Sequence, residues 1–243
     1  MNSSQIAKII KLNNTFYKNV AQKFSQTRGY SWAGWKKLLP IITNINKLSV
    51  IDLGCGNGRF FTFLCQNIQS TTFEYLGIDK SDFLLKTAKE NCKIFANNGP
   101  KKDQLNTFTF KKGDIFNVLE HPTTKFSLVA GFGITHHIPD SAFRINWFKE
   151  VLKLSKKQGY IVFSFWYPNI NKSLKKVPSY FEEGDFLFNF DLSPSPRYVH
   201  VYSKKELSLI VDLYAKNGFK LVKKYKSDLS NNSYNVYLVF KNV

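Results

Sequence analysis

The stretch Val50-Ile51-Asp52-Leu53-Gly54-Cys55-Gly56-Asn57-Gly58 decides the architecture. Ser49–Leu53 reads as a short buried strand carrying one acid, Asp52, and it opens without a linker into a Gly-x-Gly-x-Gly turn. Glycine is what a chain needs where it must turn at positive φ and let a ligand lie against its main chain. Phe60, Phe61, Phe63, Leu64 and Ile68 then predict a helix over 59–68. A second strand over 73–78 leads to Asp79, 21 residues beyond Gly58. A carboxylate there can accept both hydroxyl protons of a ribose lying over the turn.

The same rhythm continues outward. A helix is expected over 82–92, a loop over 95–106 around Gly99-Pro100, and strands over 107–111 and 126–132. A helix over 142–154 follows, and Gln158-Gly159 turns into a fifth strand over 160–165. Ser203 and Glu206 form a capping box before Leu207, Ile210, Val211 and Tyr214, with Gly218 as the stop. Residues 219–225 and 234–240, a short polar turn apart, are the last two strands, an antiparallel pair. Strands alternating with helices predict an α/β, Rossmann-like, doubly wound sheet of seven strands, the last antiparallel.

Two segments stand outside this rhythm. Ile6, Ile9, Ile10, Phe16, Tyr17, Val20, Ala21 and Phe24 form an amphipathic helical stripe in an N-terminal segment, 1–46, expected to face the substrate. Residues 167–199 hold Pro168, Pro178, Pro194 and Pro196 among aromatics and read as a loop or lid insertion. At 243 residues, against a prior of roughly 150 per domain, the chain reads as a single domain over 1–243. A chain of this length buries roughly 70% of its unfolded surface without needing a covalent staple.

Composition narrows the function classes. Hydrophobic residues at 43% and aromatics at 16% exclude a disordered chain. Three cysteines without a C-x-x-C pair, and four histidines, give neither a disulfide framework nor a metal site. The first residues show no secretory pattern, and the longest apolar run, near 160–166, falls far short of the roughly 20 residues of a membrane span. A soluble, cytoplasmic protein that does not engage a membrane is expected. Thirty-five Lys plus Arg against 17 Asp plus Glu leave a net charge of +18, a field that attracts polyanions. The Lys-Lys pairs, however, are spread along the whole sequence, and a Lys-, Asn-, Ile- and Phe-rich bias accounts for them equally well.

The turn also discriminates between ligands. A dinucleotide site has Gly-x-Gly-x-x-Gly, whereas here the third glycine comes one residue early and an acid sits two residues before the first. That acid would repel pyrophosphate. The arrangement resembles motif I of class I S-adenosylmethionine (SAM) methyltransferases, whose ligand is cationic and carries no phosphate. Lys112-Gly113-Asp114 after the third strand, the 126–137 strand and loop, and Gln158-Gly159 fit that family in order. The resemblance implies SAM as cofactor, held by Asp52, Gly54, Gly56, Gly58, Asp79 and, near the adenine, Asp114. Tyr17 would close over it, or serve core packing on its apolar stripe.

Three flanking segments resemble one branch, the methyltransferases that esterify the carboxymethyl group on the wobble uridine of tRNA. They are Phe16-Tyr17 running to Phe24-Ser-Gln-Thr-Arg28, Ile134-Thr-His136-His137 and Arg197-Tyr198-Val199-His200, where Val199 replaces the family's second tyrosine. The resemblance covers roughly residues 14–240. It implies tRNA as partner, and eukaryotic members also work with a small zinc-binding activator protein. It places Arg28, His136, His137, Arg197 and His200 around the acceptor. Since a guanidinium fork suits a carboxylate, Arg28 and Arg197 are the candidate clamps; a structural ion pair is the other reading of each. The SAM core fits a small-molecule carboxylate or hydroxyl acceptor equally well, and a non-catalytic RNA-binding scaffold is the third reading.

Overall fold

The computed structural model describes residues 1–27, 29–68, 73–98, 107–117, 124–168, 177–188, 196–230 and 233–243. The chain begins with helix α1 (Ser3–Gln26), then two short helical turns, α2 (Ala33–Lys36) and α3 (Leu39–Ile42). Strand β1 (Leu48–Leu53) leads to α4 (Arg59–Asn67), and β2 (Phe73–Asp79) to α5 (Asp82–Asn98). Next come β3 (Thr107–Lys112), β4 (Phe126–Gly131), α6 (Ser141–Leu152) and β5 (Ser155–Tyr167). Strands β6 (Asp185–Phe188) and β7 (Arg197–His200) precede α7 (Lys204–Lys216), β8 (Phe219–Ser230) and β9 (Ser233–Asn242).

Seven strands form one sheet in the order β3-β2-β1-β4-β5-β9-β8. Pairing is parallel from β3 to β5, and β9 runs antiparallel between β5 and β8. This is the Rossmann-like order the alternation predicts. β1 and β4 are buried at every position because helices cover both faces. On one face Val50, Ala130 and Val162 pack under Trp35, Leu38, Phe60 and Phe63. On the other, Ile51, Val129 and Phe163 pack under Trp147, Phe148, Leu207 and Tyr214. Each such side chain contributes about 1.5–3 kcal/mol by leaving water. The strand order reverses between β1 and β4, and ligands of open α/β sheets bind outside the carboxyl ends of strands at such a point.

Four expectations change. α1 starts earlier than its apolar stripe because Asn2 and Gln5 form a capping box. Helix α5 continues to Asn98, into the stretch expected as a loop from 95; Gly99-Pro100 lies outside the described residues. Gln158-Gly159 is a bulge inside β5 rather than the turn before it, since Phe126 pairs with Ser155 and Leu128 with Tyr160. Gln158 takes φ 62° there, and a Cβ on Gly159 would stand 2.8 Å from the Lys156 carbonyl. The 167–199 insertion is not all loop, because β6 and β7 pair antiparallel as a separate two-stranded sheet. Four-residue strands among prolines and aromatics carry too little alternation to be read from sequence.

Candidate active site

The glycine turn follows β1, with Gly54, Gly56 and Gly58 at φ 73°, 55° and 79°. Gly54 N and Cys55 N donate to the Ile78 carbonyl at 2.8 and 3.0 Å, which clips the turn to the end of β2. Gly56 N donates to Asp79 Oδ2 at 2.9 Å, and Ser81 N to Oδ1 at 2.9 Å. A Cβ on Gly54 would lie 2.3 Å from Ile134 Cγ2, so this glycine lets the β4 loop cross the turn. A Cβ on Gly56 would meet nothing within 4 Å: it faces open space.

The carboxylates are electrostatically exposed to loss. Burial pushes Asp52 up to about 7, despite the 2.5 Å bond from the Tyr75 hydroxyl. Burial likewise holds Asp79 above its ordinary value, against its backbone N–H bonds. Asp114, after β3, pairs with Lys80 at 2.7 Å, and Gly113 N donates to the Asp79 carbonyl at 3.0 Å. A buried carboxyl and a half-buried one beside an open glycine suit a cationic ligand with ribose hydroxyls, which would favour their ionised forms.

A model of the methyltransferase domain matches residues 45–207. The chain belongs to the methyltransferase-domain family. SAM is its cofactor, and the protein is a SAM-dependent methyltransferase. It is 27% identical over 210 residues to a methyltransferase of Encephalitozoon cuniculi (strain GB-M1), covering 85% of this chain and 86% of that one. A carboxy-S-adenosyl-L-methionine synthase of Helicobacter pylori (strain Shi470) is 40% identical over 77 residues, 31% of this chain and 32% of that one. Among solved structures, a SAM-dependent methyltransferase from Methanosarcina mazei superposes with a TM-score of 0.61 at 19% identity, over 84% of this chain and 97% of that one.

In this methyltransferase the β4 loop carries the site onward. Immediately after Ile134 it tightens into a 3-10 turn, Thr135–His137, that buries both histidines. Tyr17 of α1 and Arg197 of β7 meet His137 there: Tyr17 Oη lies 2.7 Å from His137 Nε2 and accepts from Arg197 Nη1 at 2.7 Å. His137 Nδ1 lies 3.3 Å from the Tyr198 carbonyl. Donation from Arg197 to Tyr17 to His137 to the Tyr198 carbonyl satisfies this string with the proton on Nδ1, whereas Asn13 Nδ2, 3.3 Å from Nδ1, would suit the proton on Nε2. Burial, reinforced by the Arg197 charge, depresses His137 to about 3, so it is neutral. The Arg197 guanidinium is 4% exposed and has the rings of Trp166, Phe16, Phe188 and Tyr17 at 5.0–6.0 Å. His136 meets the same Trp166 ring, at 5.1 Å.

The structure thus groups Tyr17 with His136, His137 and Arg197, beyond the glycine turn. His200 goes elsewhere. Alternate residues of a strand face opposite ways, and His200 packs with its Nδ1 2.7 Å from Asp185 Oδ1 and its Nε2 2.9 Å from Glu206 Oε1. Burial opposes its charge, but those two carboxylates hold its pKa above the ordinary value. Arg144, 2.8 Å from Glu182 and 3.7 Å from Asp185, completes this network, which ties β6 and β7 to α6 and α7. Both ring nitrogens of His200 are thus committed to carboxylates, and it braces the insertion, apart from the Arg197 group. Arg28 lies outside the described residues.

The sequence reading missed Asn13. Its Oδ1 accepts from Tyr198 N at 2.8 Å, and its Nδ2 donates to the Tyr198 carbonyl at 3.2 Å and lies 3.3 Å from His137 Nδ1. The signal was there: a polar residue interrupts an apolar helical stripe between Ile9 and Phe16. Among the described residues no cluster of His, Cys, Asp or Glu could hold a metal, and no helix is long and apolar enough to cross a membrane.

Proposed function

We propose that this methyltransferase esterifies a carboxylate, the carboxymethyl group on the wobble uridine of tRNA. The observation that carries the reading is the convergence on one buried guanidinium. Tyr17, His136 with His137, and Arg197 come from the three segments that resemble the tRNA branch, and they are neighbours at Arg197. The SAM methyl is carried on a cationic sulfur. A carboxylate of ordinary pKa near 4 is already ionised at neutral pH, so its attack releases no proton and needs no general base. The neutral His137 is consistent with that demand.

The protein's contribution is then orientation, worth up to about 7–11 kcal/mol in ideal cases. Arg197, whose Nη1 donates to Tyr17 and whose guanidinium is boxed by rings, is the residue proposed to orient the carboxylate, a planar fork being suited to that anion. Arg28 is the second clamp candidate. tRNA and, by the same resemblance, a small zinc-binding activator are the proposed partners, in the cytoplasm. A small-molecule carboxylate or hydroxyl acceptor is the second reading, favoured by the local likeness to the H. pylori synthase.

Nucleoside mass spectrometry of tRNA incubated with labelled SAM tests the proposal. Label is expected on a carboxymethyluridine and should leave under mild alkali, as an ester does. Label on other nucleosides, or none, overturns it. Arg197→Ala should abolish transfer with SAM affinity retained, and Arg197→Lys should recover only part, because an ammonium lacks the planar fork.

A further inference from the structure

Lysines that are far apart in sequence meet around one edge of the sheet. Residues 29–50 and 219–243 hold eight lysines and a single acidic residue, Asp228. The fold brings these segments together at the β8 edge of the sheet, beside α2 and α3. Lys223 Nζ donates to the Lys37 carbonyl at 2.7 Å, and Lys37 Nζ to the Lys226 carbonyl at 3.1 Å. Asp228 forms no ion pair with them among the described residues: its carboxylate accepts from Gly34 N, Asn235 and Tyr237.

Aromatic rings are interleaved with these charges. Lys37 and Lys223 stand 5.1 and 5.6 Å from the Tyr225 ring, and Lys226 4.5 Å from that of Tyr234. Lys36, Lys220, Lys224 and Lys226 are exposed. The patch is also continuous with the active-site rim. Trp32, just before α2, comes within 3.1 Å of where a Cβ on Gly133 of the β4 loop would stand, and Tyr234 stacks on Tyr167 at the end of β5.

We propose that this face, edge strand β8 with α2, is the docking surface for the phosphate backbone of RNA. Lysines on an edge strand also keep it from pairing with other chains, but that role needs neither the lysine of α2 nor the tyrosine rings interleaved with the charges. A polyanion long enough to reach from the rim along β8 matches both features. The choice of RNA rests on the proposed tRNA reading; the basic surface itself does not.

The test is equilibrium binding of unfractionated tRNA to the full chain over a range of salt. The triple variant Lys220→Glu, Lys224→Glu, Lys226→Glu keeps the strand edge charged, so edge protection alone predicts unchanged binding. Docking predicts at least about a tenfold weaker complex and a log–log salt slope reduced by roughly 3, about one per lysine. SAM affinity and melting temperature should stay as in the wild type, and Lys→Arg at the three positions should restore binding. Unaltered tRNA binding in the Glu variant overturns the proposal. So does preferential, charge-dependent binding of phosphatidylserine vesicles over tRNA, which would make the face a membrane contact. Loss of binding through this face without methylated nucleoside in any tRNA would keep the surface and remove the proposed acceptor.

Discussion

Asp79 spends one backbone N–H on each carboxylate oxygen, from Gly56 and from Ser81. An ionised carboxylate has about four acceptor sites, so room remains for a ribose hydroxyl beside these backbone bonds. Asp79→Ala should therefore cost about 1.5–3 kcal/mol of SAM binding, roughly 10- to 100-fold, and calorimetry giving wild-type affinity would remove this role. Gly56→Val separates binding from folding. Its Cβ meets open space, so the fold should lose only about 1–2 kcal/mol to the positive φ, while the SAM-dependent shift in melting disappears. Asp52 carries a pH dependence. With its folded pKa raised to about 7 from 3.8, it favours the folded state fully only below the lower value, and that contribution is lost as pH rises through the upper one. Above about pH 7, Asp52→Asn should make the ligand-free protein a few kcal/mol more stable than wild type, at about 1.4 kcal/mol per tenfold change in ionisation constant. Denaturant titrations at pH 5 and 8 giving the same difference would contradict this.

At the scale of elements, α1 bridges the two halves of the site. Asn13 and Tyr17 hold β7 and the β4 loop, and two turns later Ser25 Oγ accepts from Asn57 of the glycine turn at 3.1 Å. The helix thus spans from the Arg197–His137 group to the glycine turn. Asn13→Ala removes both of its bonds to Tyr198 and should lower stability by about 1–3 kcal/mol. It should also slow transfer, because Arg197 is the neighbour of Tyr198 on β7, while SAM affinity is unchanged. A lowered melting temperature with a normal turnover number would make α1 a strut only. The β6–β7 pair is braced differently, by Arg144, Asp185, His200 and Glu206. Burial pushes the Glu206 carboxyl up, but the His200 and Ser203 bonds bring it down to about 2.

For the whole molecule, a ligand that binds only the folded state must stabilise it by mass action, about 2.7 kcal/mol at 100 times its Kd. SAM should raise the melting temperature by that route and NAD should not, since the acid beside the turn disfavours pyrophosphate. An equal shift with NAD would contradict the electrostatics argued for Asp52 and Asp79. The charge of +18 acts at this scale too. Spread evenly in sequence, it becomes directional only after folding, because β8, the last strand but one, closes the sheet beside α2 from the chain's beginning.

The sequence by itself determined the class of sheet, the glycine turn and the two carboxylates at its rim. Each is written in local terms: apolar runs at strand or helix spacing, glycines where φ must be positive, an acid at the end of a strand. The seven main strands and the capping box of α7 were legible for the same reason. Only the tertiary structure decided which neighbouring residues serve which site. Arg197 and His200 are three apart on one strand, yet strand alternation and packing send one to the aromatic box and the other between two carboxylates. Asn13 acquires its partners from residues more than a hundred positions away, and the lysine face is assembled from both ends of the chain. Such contacts depend on long-range packing, which no local periodicity encodes.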